Sequence, residues 1–257
     1  MPHSSAEPRI ALVTGSAKRV GAAIVRRLSR AGYRVIIHAD RALAEAESLA
    51  ASLRAEGGEA QTVSGNLADA ETRTRLIARA SELFGPITLL VNNASVFGSD
   101  DLMSFSEDDF FRFMTINCLA PIALARAFAA QAPRDRDPSI VNLVDHRVMK
   151  LTPQHFSYTL SKAALATATT TMAQALAPSI RVNSVGPGPT LPNNHDGEAG
   201  LQHEAAGVPL AHSVDPDDLA DAVLYLAQAR SVTGQMIAVD AGQHIGWRTP
   251  DIITDED

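Results

Sequence analysis

The stretch RIALVTGSAKRVG, residues 9–21, decides the fold. Its first part, RIALVT at 9–14, is a short apolar run of strand type. Glycines 15 and 21 then frame a turn into an Ala-rich segment of helical period near 20–31. Glycine permits the tight turn and a close helix-to-strand approach, and the helix N-terminus offers free N–H groups and a positive dipole end to an anion such as a diphosphate. An ordinary βα turn with two glycines has the same appearance, so the rest of the chain has to decide.

Outward from this turn the alternation repeats. RVIIH at 34–38 precedes a helix near 42–56, AQTVS at 60–64 a helix ending at Phe84, and TLLVNN at 88–93 a long helix near 107–131. SIVNLVD at 139–145 precedes a helix from Ser157 to Ala177, and IRVNSV at 180–185 an irregular stretch from Gly186 to about Val214. A helix from Asp215 and the strand QMIAVD complete the pattern. The strands are nearly continuous apolar runs, as expected of strands covered on both faces. The pattern predicts a single α/β domain over residues 1–257. It is doubly wound, with a mostly parallel seven-stranded sheet in the order 3-2-1-4-5-6-7, helices on both faces and an insertion at about 186–214.

Composition excludes several classes. With 46% hydrophobic and 20% charged residues the chain is of soluble globular type. A net charge of -7 argues against nucleic acid or an anionic membrane as partner, while leaving room for a local basic pocket. The single cysteine, Cys118, cannot form an intrachain disulfide, and a cytoplasmic location is expected. No two of the eight histidines have the spacing that puts two ligands on one helical face, so no metal site is expected. The N-terminus lacks a basic segment followed by an apolar one, and no uninterrupted apolar run approaches 18 residues, so neither export nor a membrane span is expected. The acidic end DIITDED is expected to be a solvated tail.

Only three lysines occur, at 18, 150 and 162, so a lysine inside a chemical motif is drawn from a small pool. Lys162 stands four residues after Tyr158 in YTLSK, on the same helical face. An ammonium beside a phenol lowers its pKa from about 10 and makes a pair able to pass a proton. A pair on an exposed helix surface is the alternative.

In order along the chain come TGSAKRVG at 14–21, NNAS at 92–95, Asn117, Tyr158 with Lys162, and PG at 187–188. With these, nearly the whole sequence resembles the short-chain dehydrogenase/reductase family. The resemblance implies a Rossmann-type domain whose cofactor contacts Gly15, Lys18, Arg19, Val20, Gly21, Asn66, Asn93, Ala94, Ser95, Tyr158, Lys162, Pro187 and Gly188. It implies catalysis by Tyr158 and Lys162, with Asn117 organising a backbone kink and a water relay to Lys162. It also implies a substrate loop over 186–214 and a homotetramer built through the helices of the fourth and fifth crossovers.

The departures from the family pattern carry the specificity. Arg19 replaces the middle glycine of T-G-x-x-x-G-x-G, as in the pteridine reductase branch, which implies a cation facing the diphosphate and the substrate pocket; a solvent-facing Arg is the alternative. Ala39 stands where NAD-specific members carry an acid, and His38 with Arg41 matches the branch pattern H-x-x-R, implying NADPH rather than NADH. Asp40 between them opposes a 2′-phosphate unless it points outward, and Asn66 replaces an Asp common near the adenine. Asp145 occupies the position of the usual substrate-orienting serine, thirteen residues before Tyr158. A carboxylate repels a developing oxyanion and accepts from N–H groups, so a substrate rich in N–H donors, a pterin, is implied. Phe97 matches the aromatic that stacks on the pterin in that branch, or is a core or interface ring. NNHDG at 193–197 is similar to bacterial dihydromonapterin reductases and makes His195 and Asp196 candidate pocket groups, or loop-surface residues.

The expected activity is NADPH-dependent reduction of a dihydropterin, with Asp145, Tyr158, Lys162 and Asn117 catalytic. Arg19, Phe97, Asp145, Tyr158 and His195 are the expected substrate contacts. A carbonyl reductase of the 3-oxoacyl or sugar type and a catalytically silent NADP-binding sensor are the rivals.

Overall fold

The computed structural model describes residues 8–192 and 197–247. His195, Asp196 and the acidic run at 251–257 lie outside them. The apolar runs form seven parallel strands: β1 (Ile10–Val13), β2 (Arg34–Ala39), β3 (Ala60–Ser64), β4 (Leu89–Asn92), β5 (Ser139–Leu143), β6 (Arg181–Pro187) and β7 (Met236–Val239). Their order is β3-β2-β1-β4-β5-β6-β7, as the alternation predicts.

The two-residue period of a strand divides the core in two. Ala11 and Val13 of β1 face one layer, with Ile24 and Leu28 of α1 (Arg19–Arg30), Leu49 and Leu53 of α2 (Leu43–Ala55) and Leu219 and Val223 of α8 (Pro216–Gln228). Ile10 and Leu12 face the other, with Leu76 and Ile77 of α3 (Ala70–Phe84), Leu124 and Phe128 of α5 (Ala120–Gln131) and Ala173 of α6 (Phe156–Leu176).

Two elements differ from the sequence reading. The long helix near 107–131 is α4 (Glu107–Met114), a wider π-turn over Thr115–Leu119, and α5. By length and composition the whole run Glu107–Gln131 could cross a membrane. Here its apolar side is the core side of α5, with Leu124 and Phe128 fully buried against the sheet. The stretch read as irregular contains α7 (Gly197–Ala206), anchored at its end by buried Ala205 and Val208. GEAGLQHEAA has two glycines and a single large apolar residue, so periodicity cannot reveal it.

Connections leave the neighbouring strands β1 and β4 in opposite directions, which opens a crevice at their C-terminal ends, where doubly wound sheets bind ligands. The turn after β1 and the segments after β4, β5 and β6 all end there.

Candidate active site

The turn after β1 is built against the β4 segment with no room to spare. Gly15 has a φ of +60°, and a Cβ on it would lie 2.8 Å from Ala94 Cα. One on Gly21 would lie 2.6 Å from the Asn93 side chain. The N–H groups of Asn93 and Ala94 both donate to Thr14 Oγ1 at 3.0 Å, and Asn93 Nδ2 donates to the carbonyls of Thr14 and Gly15 at 2.9 Å. Asn93 and Ala94 thus hold the turn itself. No side chain caps the start of α1 at Lys18, so its first N–H groups suit an anion. Lys18 itself pairs with Glu45 of α2, and Val20 packs against the core layer.

Arg19 adopts a left-handed φ of +56°. That conformation costs an L-residue about 1 kcal/mol, which explains glycine in the common family pattern and implies that the side chain has a use. Arg19 Nη2 reaches to 3.5 Å from the carbonyl of Leu191, beyond β6, so the guanidinium spans the crevice.

His38 is not where the resemblance implies. It is buried, with Nδ1 accepting from the Gly15 N–H at 3.1 Å and Nε2 donating to the Gly65 carbonyl at 3.0 Å. Burial pushes its pKa down to about 4, so the ring is neutral. The imidazole therefore clasps the ends of β2 and β3 to the turn from beneath, rather than presenting itself to a 2′-phosphate. Arg41 is free to do so: its side chain is 95% exposed, with the Asp40 carboxylate 3.8 Å away. Asn66 is exposed and accepts from the Ala68 N–H, shaping the loop before α3.

On the substrate side, Asp145 and Tyr158 are buried and joined: Tyr158 Oη donates to Asp145 Oδ2 at 2.8 Å. Asp145 Oδ1 accepts from the Arg147 N–H at 2.9 Å and lies 3.4 Å from Arg147 Nη1. Burial and the Asp145 carboxylate hold the Tyr158 phenol well above its ordinary range. The expectation that Lys162, together with the nicotinamide charge, lowers it is not met by Lys162 in the protein alone. The four-residue spacing does place both groups on one face, yet Lys162 Nζ donates to the Leu143 carbonyl at 2.8 Å and stands 5.8 Å from the Tyr158 ring centroid. Burial brings Lys162 itself down to about 8.

Asn117 sits in the π-turn, fully buried. Its Oδ1 accepts from Val96 N–H and Ser95 Oγ, and its Nδ2 donates to the Val96 carbonyl and Ser161 Oγ. It is the expected organiser of a kink, and its direct partners are the β4 segment and α6 rather than Lys162. Phe97 is no core ring: it is 42% exposed, edge-on to Tyr158 at 4.8 Å and 4.6 Å from the His155 ring. An aromatic face backed in this way suits a flat ring stacked upon it. Gly188 is pressed onto β7, where a Cβ would lie 2.5 Å from Asp240 Cα, and the Pro187 carbonyl accepts from buried His146 Nδ1. Among the described residues no group of three or more His, Cys, Asp or Glu could hold a metal ion.

Sequence reasoning missed His146, His155 and Arg147. Arg147 was discoverable only as the second basic neighbour of Asp145, and nothing in the sequence aims it at the site.

The His38 clasp has a direct check. His38→Asn is too short to span Gly15 and Gly65, and the dissociation constants of NADPH and NADH should rise by the same factor, about ten-fold for a lost buried hydrogen bond. A loss confined to NADPH would instead place the imidazole on the 2′-phosphate.

The chain matches the family described as Enoyl-(Acyl carrier protein) reductase over residues 15–244. It is 43% identical to a crystal structure of FolM alternative dihydrofolate reductase 1 from Brucella canis complexed with NADP, with a TM-score of 0.91 over 95% of this chain and 97% of that one. A blue fluorescent protein from a metagenomic library, in complex with NADPH, is 32% identical with a TM-score of 0.85 over 91% and 97% of the two chains. A 3-oxoacyl-[acyl-carrier-protein] reductase of Synechocystis sp. is 29% identical over 91% of this chain and 96% of its own length. With the ordered motifs now placed around one crevice, the chain belongs to the short-chain dehydrogenase/reductase family of oxidoreductases.

Proposed function

We propose that the protein is a cytoplasmic, NADPH-dependent reductase of a dihydropterin, a dihydromonapterin or dihydrofolate-like compound, to its tetrahydro form. The observation that carries this reading is Asp145 in the serine position, bonded to Tyr158 beside the exposed face of Phe97. The 43% identity to an NADP-bound alternative dihydrofolate reductase supports it.

The residues present fit the cofactor. The turn around Gly15 leaves no space for a side chain, the N-terminus of α1 has no side-chain cap, and Ala39 ends β2 without an acid. Buried Lys162 uses one of its three donors on Leu143, which leaves two for ribose hydroxyls. When bound, NADPH would supply a hydride to C6 of the dihydropterin, and a proton from solvent would add at N5, leaving NADP and the tetrahydro product. The chain's own groups bind and orient. Phe97 offers the stacking face, Arg19 a cation beside the crevice, and Asp145 an acceptor for ring N–H groups. Tyr158, whose proton is held firmly, is the donor that fixes the carboxylate.

The 3-oxoacyl reductase relatives favour a second reading, reduction of an acyl ketone. A spectrophotometric NADPH assay against dihydropterins, dihydrofolate and acyl ketones separates the two. Dihydropterin turnover is expected, and Asp145→Ser should lower it about a hundred-fold. Oxidation of NADPH with an acyl ketone alone, or a gain in ketone activity in Asp145→Ser, would overturn the pterin reading.

The same reading includes a homotetramer. Phe111, Leu119 and Ile122 on the fourth crossover and Leu160 on α6 are exposed apolar side chains, the type of surface that a second copy covers. A sizing measurement should give four copies, and a monomer would remove this part of the proposal.

A further inference from the structure

Arg147 belongs to none of the motifs that carry the family pattern, yet its side chain is only 15% exposed and the residue makes four contacts with three groups. Its backbone N–H and Nη1 both face Asp145 Oδ1, at 2.9 and 3.4 Å. Its guanidinium carbon is 5.9 Å from the Phe97 centroid. Its Nη2 is 3.8 Å from Glu204 Oε1, on α7. The first three contacts belong to the substrate side of the crevice, and the fourth to the helix that follows β6.

Two physical points give this arrangement a consequence. Tyr158 on Oδ2 and the Arg147 N–H on Oδ1 already hold the Asp145 carboxylate, with His146 Nδ1 3.2 Å from Oδ1; the guanidinium adds a charged donor that opposes turning about the broad terminal torsion and keeps Oδ2 on Tyr158. A guanidinium is a rigid planar fork, so its two ends move together, and whatever fixes Nη2 also fixes Nη1. The Glu204 side chain is 42% exposed, but the backbone that carries it is anchored, because the next residue, Ala205, and then Val208 are buried.

The geometry points to Arg147 as a positioning residue that ties the placement of α7 to the orientation of the Asp145 carboxylate, and through it to the Tyr158 hydroxyl. Contacts that a substrate makes with α7 then reach the Asp145–Tyr158 pair through one side chain. This rests on the reading that Asp145 and Tyr158 act on the substrate.

The test is a double-mutant cycle on the full chain with NADPH and a dihydropterin. It uses Arg147→Met, Glu204→Gln and their combination, with Arg147→Lys as the conservative variant. NADPH affinity and melting temperature are measured alongside. Arg147→Met should lower kcat about ten-fold while leaving the NADPH dissociation constant unchanged, and Arg147→Lys should recover part of it. Glu204→Gln should cost about three-fold in the native background and nothing further in Arg147→Met, since the two act as one unit. Turnover of Arg147→Met within two-fold of the native protein, or an equal Glu204→Gln cost in both backgrounds, overturns the proposal. If Arg147→Met does not fold, Arg147→Gln, which also removes the charge, replaces it in the cycle with the same outcomes. Should the native protein turn over only an acyl ketone, the pterin reading fails, and the same cycle run on that ketone decides the role of Arg147 separately.

Discussion

The hydrogen bond from the Tyr158 phenol to the Asp145 carboxylate, 2.8 Å long and buried, sets the terms for everything around it. An ionised carboxylate taken out of water is costly unless its lone pairs are occupied. Here the phenol occupies one oxygen, and the Arg147 backbone and guanidinium face the other. His146 Nδ1 also lies 3.2 Å from that second oxygen, so Asp145 stands where a serine hydroxyl is common, at the end of a fully buried strand, among Tyr158, His146 and Arg147. Burial, and with it the same carboxylate, keeps the phenol protonated. A site that would otherwise offer a hydroxyl offers a hydrogen-bond acceptor instead.

Around that pair, the scaffold holds its loops with buried polar side chains instead of apolar packing alone. Thr14 and Asn93 tie the first turn to the β4 segment, His38 ties it to β2 and β3, and Asn117 ties the β4 segment to α6. Each of these ties crosses from one βα unit to another. Satisfied buried networks of this kind rigidify and specify one arrangement, which a site needs if its donors are to stay in place before a ligand arrives.

Much of this was legible in advance. The strand order follows from apolar runs alternating with helical segments, and Gly15 and Gly21 announce the close approach that their missing Cβ atoms permit. Spacing also placed Tyr158 and Lys162 on one helical face. Spacing does not say what dominates a buried group, and there the expectations diverged: burial and then Asp145, not Lys162, govern the phenol. His38 illustrates the same limit, because alternation along β2 cannot tell an imidazole facing a ligand from one turned under the adjoining loop. Arg147 and Glu204 are 57 residues apart in the sequence and meet only through the packing of α7, a helix whose composition gives no periodic signal.

The most direct measurement is the near-ultraviolet phenolate absorbance of the free enzyme against pH, taken as the difference between the native protein and Tyr158→Phe. With burial and Asp145 holding the proton, the Tyr158 signal should stay absent past pH 10, the ordinary midpoint of a tyrosine. A phenolate that grows in below that pH would contradict a phenol held protonated by burial and the Asp145 carboxylate.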